Sequence, residues 1–336
     1  MTIPTLVETS NKPLVTVLMA AHNEEAYVRG AVESILHQSF QQFELIVIDD
    51  ASTDETAHIL AGYRDSRMRV FRNETCQGLT KSLIKGMQEA RGAFVARLDA
   101  DDLAMPQRLE KQLAAFRKAP ELGIVGSNCW VIDASGKRVG SRRVPLTDLA
   151  IRWRSLIDTP FFHPAVMFRA EVYKRAGGYD PSLQTAQDYD LWTRMLRFTQ
   201  ARNLSRRLIA YRVRQGSVSD KRRTQQLANH DRISQHTLTE LMPGHVIPPE
   251  RHQLLRALYA GGPPTVPPGE IASLVMEYWS LLQEFYASHA GQPGWGTLLM
   301  QEWMRNAYRL QRAPWEKETR KAWRMISAPH LAALRH

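Results

Sequence analysis

Cysteine is almost absent from this 336-residue chain, which carries two, Cys76 and Cys129. They lie far apart and make no metal-ligand spacing. A disulfide framework or a zinc-stapled module is therefore excluded, and both read as ordinary thiols of a reducing compartment. No uncharged apolar run approaches the roughly eighteen residues of a spanning helix, so none is expected. The first residues, MTIPTLVETSNKP, hold no apolar stretch, and no signal peptide is expected. Zinc spacings, a helix-turn-helix and an aromatic RNA-binding motif are missing too. Nucleic-acid binding would then rest on phosphate contacts alone, and no nucleic acid is expected as a partner. What the chain does have is a core: 43% hydrophobic and 8% aromatic residues, enough for one large domain and an appendage.

The N-terminal half alternates strand and helix patterns. Val15–Met19 is a β-branched, apolar run ended by His22, Asn23, Glu24 and Glu25, after which Val28, Val32, Ile35 and Leu36 recur at helical spacing. The next strand, Phe43–Ile48, closes on Asp49 and Asp50. Ser52 or Thr53 is placed to cap the following helix, with Asp54 and Glu55 in its first turn. Met68–Phe71 is a third strand, 79–90 a helix, 93–98 a fourth strand and 106–116 a further helix. Such alternation predicts a parallel sheet with helices on both faces, whose ligands bind beyond the carboxyl ends of the strands.

The densest chemistry is LDADD at 98–102, at the end of that fourth strand. Three carboxylates within five residues repel one another unless a cation or several donors offset the charge. Asp99 and Asp101 face the same way if strand geometry persists that far, and can then share one ligand. A divalent metal carrying phosphates suits them. The plainer alternative is a polar turn with Asp102 starting the next helix.

Several of these segments occur together in one known family. VTVLMAAHNEEAYVRGAVESILHQSFQQFELIVIDDASTDET at 15–56 and NETCQGLTKSLIKGMQEARGAFVARLDADDLAMPQRLEKQ at 73–112 resemble the nucleotide-sugar-binding half of family two glycosyltransferases with the GT-A fold. The resemblance runs on through HPAVMFRAEVYKRAGGYD at 163–180, AQDYDLW at 186–192 and YRVRQGSVS at 211–219, and so covers about 13–220. It implies a Rossmann-like α/β domain over 13–220, with a mostly parallel sheet flanked by helices, a tail at 1–12 and a C-terminal helical region over 221–336.

The resemblance also implies roles. Ala20, His22, Asn23 and Glu24 match the loop that cradles base and ribose, and Asp50 the carboxylate that accepts a hydrogen bond from the base. Asp99 and Asp101 match the DxD motif, whose last acid ligates manganese or magnesium bridging the diphosphate. Arg97, Lys81 and Arg72 are nearby candidates for phosphate contacts, with solvated surface charge as the alternative. Asp188 matches the general base that deprotonates the acceptor hydroxyl during a single inverting displacement; Asp190 is the competing acid. No second acid is placed to act as the nucleophile of a retaining mechanism.

Some positions depart from the family pattern. Gln187 stands where glutamate precedes the base, and Lys85 where asparagine is common. Arg214 takes the place of a histidine that can join the metal, and arginine cannot ligate a cation. Metal dependence is therefore open, with Arg214 itself a candidate phosphate contact. His163 is expected to be held extended by Pro164, presented toward acceptor or phosphate or satisfied by ordinary hydrogen bonds.

The net charge of +10 sits in the tail: residues 201–336 carry 19 Lys or Arg against 10 Asp or Glu, and residues 1–200 carry 25 against 24. Helices are expected at 223–242, 250–260, 269–289, 296–312 and 314–334. In the last two, Trp303, Tyr308, Trp315 and Trp323 interleave with Arg305, Arg309, Arg312, Lys317, Arg320, Lys321 and Arg324. These helices either touch an anionic membrane surface or pack their tryptophans and leave the charges in water.

The expectation is an inverting glycosyltransferase. It moves a hexose-type sugar from a nucleotide donor, a UDP-sugar first, to a hydroxyl of a glycan or lipid-linked acceptor in cell-surface polysaccharide or glycoconjugate synthesis, in the cytoplasm or at the inner membrane face. The alternatives are a non-catalytic relative that only binds the nucleotide sugar, a basic nucleic-acid-binding protein, and a phospho-accepting receiver domain. The last is disfavoured by the strand before LIVIDDAST and by the second acid cluster.

Overall fold

The computed structural model describes residues 12–214, 223–260, 265–289, 292–314 and 316–327. The chain forms two compact units, Met1–Val144 with Phe161–Lys221, and Pro145–Pro160 with Arg222–His336.

The first unit is built on one mixed sheet. Its strands are β1 (Val15–Ala21), β2 (Phe43–Asp49), β3 (Met68–Arg72), β4 (Phe94–Arg97), β5 (Leu103–Ala104), β6 (Leu122–Ile132), β7 (Arg138–Arg142), β8 (Met167–Arg169) and β9 (Gln200–Arg212). They lie in the order β3-β2-β1-β4-β8-β6-β9-β5, with β7 paired to β6. The first four are parallel, in the register Val15↔Phe43, Val15↔Phe94 and Leu45↔Met68. Beyond them, β8 runs antiparallel to both β4 and β6, while β9 is parallel to β6. Parallel pairing is thus confined to part of the sheet. After β3 the chain returns to the far side of β1, so a topological switch point falls between β1 and β4.

β2 is buried along its whole length, as a strand covered on both faces must be. Its buried Glu44 is satisfied by Thr16 Oγ1 at 2.7 Å and Arg91 N at 2.8 Å, and pairs with Arg69. Helices α1 (Val28–Leu36), α2 (Thr56–Ala61), α3 (Leu79–Glu89) and α4 (Arg108–Lys118) connect or cover these strands. α3 lies so close to the sheet that a Cβ on Gly86 would fall 2.2 Å from Leu18 Cδ1.

The domain expected over 13–220 is interrupted. Residues 145–160, carrying α5 (Asp148–Ser155), pack with the helical unit, because α5 turns Leu149, Ala150 and Trp153 into that unit's core, with Leu156 just past its end. Trp153 Nε1 donates to Tyr278 Oη at 2.8 Å, and Tyr278 Oη donates to Glu302 Oε2 at 2.8 Å. α6 (Ala170–Arg175) and α7 (Gln187–Met195) return to the sheet unit.

The helical unit adds α8 (Arg223–Leu241), α9 (Pro249–Ala260), α10 (Ile271–Ser288), α11 (Trp295–Leu310) and α12 (Lys317–Ser327). Trp303 and Trp323 pack against this unit's own core, and Arg309 donates to Leu258 O at 3.1 Å. Trp315 and residues 328–334 of the expected last helix lie outside the described residues. No helix among the described residues is long and apolar enough to cross a membrane.

Candidate active site

The loops that leave β1 and β2 are laced together. Asn23 N donates to Ser52 Oγ, Thr53 N to Asn23 Oδ1, Glu24 N to Thr56 Oγ1 and Glu25 N to Asp54 Oδ2, at 2.7 to 3.1 Å. Ser52 and Thr53 therefore do not cap the next helix, which begins at Thr56; they tie the two strand ends into one rim. His22 sits on this rim, exposed, with Nδ1 2.7 Å from Asp50 O. Ala20 is half-buried within β1 behind it.

Asp50 is 3% exposed, yet each of its oxygens is met by donors. Asn73 Nδ2 at 2.7 Å and Gln77 N at 2.9 Å reach Oδ1; Gly78 N at 2.7 Å and Cys76 Sγ at 3.4 Å reach Oδ2. Gly78 presents its amide from φ 88°, a conformation open to glycine. Burial opposes ionisation here, but the donors from Gln77, Asn73, Gly78 and Cys76 outweigh it and hold the carboxyl below its usual range. Three of the four donors are strong; the thiol is weak.

Two basic residues near Asp50 have positions that the sequence did not reveal. Arg72 pairs with Asp49 at 2.9 Å and donates to Ser52 O at 2.9 Å, bracing the turn. Lys85 Nζ donates to Asn73 Oδ1 at 2.8 Å and to Arg72 O at 3.0 Å. Lys81 is exposed.

The acids after β4 form a turn, with Asp102 N donating to Asp99 O at 3.2 Å. Strand alternation, which ends at Arg97, is not what brings Asp99 and Asp101 together. The turn does so instead, and oxygens of Asp99, Asp101 and Asp102 lie within 4.8 Å of one another. Asp102 starts no helix: β5 follows it, and its Oδ1 accepts from Arg212 N at 2.7 Å. Arg212 Nε also donates to Asp101 O at 2.8 Å, so the end of β9 clamps the turn. Arg97, expected to face phosphate, is 1% exposed and ion-paired with Asp99. It holds the turn from beneath.

Arg214 reaches this cluster from the end of the sheet. It pairs with Asp101 Oδ2 through Nε at 3.0 Å and with Glu24 Oε1 through Nη2. Residues 215–219 of the motif that follows lie outside the described residues. Burial, then the Asp101 charge, push the Glu24 carboxyl up to about 7 against the pull of Arg214. Burial and the charges of Asp99 and Asp101 raise Asp102 strongly. Glu24 Oε2 and Asp102 Oδ2 are buried without a hydrogen-bond partner among the described residues. A crowded, all-oxygen set with orphaned acceptors suits a hard cation such as magnesium or manganese. His22, Asp50 and Cys76 also approach within 4.8 Å, but the donors on both Asp50 oxygens make that group a poor cation site.

A third group of residues follows β7 and flanks β8. His163 opens a one-turn 3-10 helix, His163–Ala165, rather than an extended segment; Pro164 is tolerated because the first amides of a turn need no internal partner. Its Nε2 lies 2.9 Å from Tyr179 Oη, and burial and the Arg97 charge push its pKa well down. A neutral imidazole tied to a phenol is a poor phosphate contact. Burial raises the Tyr179 phenol, with the charges of Asp188 and Asp99 among the contributors, so both acids act on this one buried group. Asp188 is half-buried in the first turn of α7, behind Gln187. Asp190 is committed to Arg194, with Oδ2 accepting from Nε at 3.1 Å.

The non-glycine residues with positive φ among those described are Asn23 at 55°, Ala51 at 55° and Ala186 at 59°. Each adjoins a candidate site residue: His22 and Glu24, Asp50, and the Gln187-Asp188 pair. Left-handed backbone at alanine costs about 1–2 kcal/mol and persists where surrounding structure enforces it.

Comparisons with known proteins bear on the family and the fold. The family model for glycosyl transferase family 2 matches residues 16–177. EpsE of Bacillus subtilis (strain 168), whose name describes it as a glycosyltransferase, is 37% identical over 220 residues, 63% of this chain and 77% of that one. The O-antigen biosynthesis glycosyltransferase WbnJ of Escherichia coli is 31% identical over 211 residues, 61% of this chain and 82% of that one. Among solved structures, S. aureus TarS 1–349 in complex with UDP-GlcNAc has a TM-score of 0.58 at 18% identity, covering 95% of this chain and 92% of that one. The chain covers 55% of the longer TarS structure. Fold and sequence together define a GT-A glycosyltransferase. The chain belongs to glycosyl transferase family 2.

Proposed function

We propose that this enzyme takes a hexose-type sugar from a nucleoside-diphosphate donor, a UDP-sugar, and transfers it with inversion to a hydroxyl of a glycan or lipid-linked acceptor in cell-surface polysaccharide or glycoconjugate synthesis. One observation carries the reading. Three neighbouring ends of the parallel strands, β2, β1 and β4, present an ionised Asp50, the Glu24 loop and the Asp99–Asp101 turn on the same edge of the sheet.

In this reading the base lies over His22, with a ring N–H accepted by Asp50 Oδ2 where Cys76 Sγ now sits. The diphosphate lies toward Asp99 and Asp101. Those two acids would hold a divalent cation, and it would supply Lewis-acid stabilisation of the leaving diphosphate. Asp188 takes the proton from the acceptor hydroxyl as that oxygen attacks the anomeric carbon, and the bond from that carbon to the diphosphate oxygen breaks on the opposite face. The names of WbnJ and of the UDP-GlcNAc complex of TarS support the pathway class and the uridine donor. Work in the cytoplasm, or at the inner membrane face through the basic helices, fits such a pathway.

Calorimetric titration with UDP, GDP and dTDP, each with and without manganese, tests the donor site. UDP binding tightened by manganese is the expected result; failure of all three to bind with manganese present sinks it.

A further inference from the structure

Arg214 stands where two loops and a strand end meet. Its Nε donates to Asp101 Oδ2 at 3.0 Å, its Nη2 donates to Glu24 Oε1, and its guanidinium carbon lies 5.1 Å from the centre of the Tyr27 ring. Two of its three nitrogens are engaged this way, with the side chain 24% exposed. Arg214 thus does part of what a metal ion would do there, neutralising Asp101 and Glu24 and joining the β1 loop to the acid turn.

The same carboxylate cannot serve both cations well. A guanidinium within hydrogen-bond reach of Asp101 repels a divalent ion arriving at its carboxylate. A diphosphate competes for Arg214 in turn, since its oxygens match the planar fork better than two separate carboxylates do. The cluster can lose Arg214 only if another cation replaces it, because Glu24 and Asp102 already hold buried oxygens without a hydrogen-bond partner among the described residues.

We propose that Arg214 is an exchangeable cation of the donor site: without donor it neutralises Asp101 and Glu24, and the donor's diphosphate draws it off, freeing Asp101 for the divalent ion. The proposal rests on the donor-site reading above. It makes metal and nucleotide binding reciprocal, each strengthening the other by the same factor. Metal alone meets an acid already paired. Nucleotide alone meets an arginine that can turn to it.

The test is manganese binding by electron paramagnetic resonance, with and without UDP, on the wild-type protein and on Arg214→Gln and Arg214→Lys. Wild type should bind manganese about tenfold more tightly with UDP present than without. Arg214→Gln should bind manganese alone about tenfold more tightly than wild type and UDP alone about tenfold more weakly, so that the coupling collapses. Arg214→Lys keeps the charge but cannot bridge both carboxylates. It should gain several-fold in metal-alone affinity and keep its UDP affinity, and it carries the test if the glutamine variant does not fold. Unchanged or weaker manganese binding in both variants overturns the exchange; undiminished UDP binding in Arg214→Gln overturns the phosphate contact. Wild-type protein that binds manganese but no UDP sinks the donor-site reading, a result seen before any variant is compared.

Discussion

Lys85 fixes which way the Asn73 amide points. Its ammonium can only donate, so the atom it meets at 2.8 Å must be Oδ1, and the Asn73 Nδ2 is thereby aimed at Asp50, 2.7 Å away. A residue on α3 thus sets the hydrogen-bond pattern of an acid at the end of β2. Lys85→Met keeps the aliphatic stem of the side chain and removes the ammonium anchor, leaving a buried amide oxygen without its donor. Stability should fall by about 1–2 kcal/mol and UDP affinity about fivefold, measured by urea denaturation and calorimetry. Unaltered UDP affinity would mean that Asp50 does not need this relay.

Ala51 follows Asp50 with φ 55°, and its side chain is half-buried. Glycine adopts that conformation without strain, so Ala51→Gly should raise stability by about 0.5–1 kcal/mol. The freed backbone should hold the Asp50 turn less firmly and weaken UDP binding a few-fold. A lower denaturation midpoint would show that the alanine methyl contributes more than the strain costs.

The helical unit carries an acid sensitivity of its own. His252 is buried, its Nε2 lies 2.9 Å from Ser234 Oγ, and burial and the Arg256 charge lower its pKa from 6.5 to about 4. Below pH 6.5 the unfolded chain binds a proton that the native protein refuses until about pH 4, so stability is full above 6.5 and declines across that window. The expected loss is about 3 kcal/mol. Asp158 works in the same direction further down. Its carboxyl is buried, but hydrogen bonding to His230 and the charges of Arg154 and Arg256 lower it to about 2 from 3.8, so its contribution fades as pH falls between those values. Urea denaturation from pH 7.5 to 4.5 should show the decline in the wild type and a flatter profile in His252→Gln. Equal slopes would rule out His252 as the source.

What the sequence disclosed was local. The run Val15–Met19, the pair Asp49-Asp50 and the cluster LDADD are each written in adjacent residues, and β1, β2 and the acid turn fall on them. Arg97 and Lys85 were opaque because their roles depend on what packs above them: one buried beneath Asp99, the other reaching Asn73 from α3. The passage of residues 145–160 into the helical unit was hidden for a similar reason. α5 is an ordinary amphipathic helix, and only the partners of Trp153, far along the chain in α10, decide which core receives it. Ser52 and Thr53 look like caps, but their backbone and hydroxyl groups meet the β1 loop before a helix can claim them.

Asp50 and Asp188 should fail in opposite ways when changed to asparagine. At Asp50 both oxygens accept from N–H groups, so an amide sets a donor against Gln77 N or Gly78 N. Asp50→Asn should therefore lose about 1–3 kcal/mol of stability and most of its UDP affinity. Asp188 lies at the start of α7 and acts electrostatically on Tyr179. Asp188→Asn keeps the shape while removing the negative charge and with it the ability to take a proton. It should bind UDP within about twofold of wild type while sugar transfer falls by about 10²–10⁴-fold. Measuring UDP affinity and kcat on both variants separates the two roles. Near-normal kcat in Asp188→Asn would return the general base to the unassigned residues, and Asp190, held by Arg194, would be a poor replacement because it would have to break that pair before it could accept a proton.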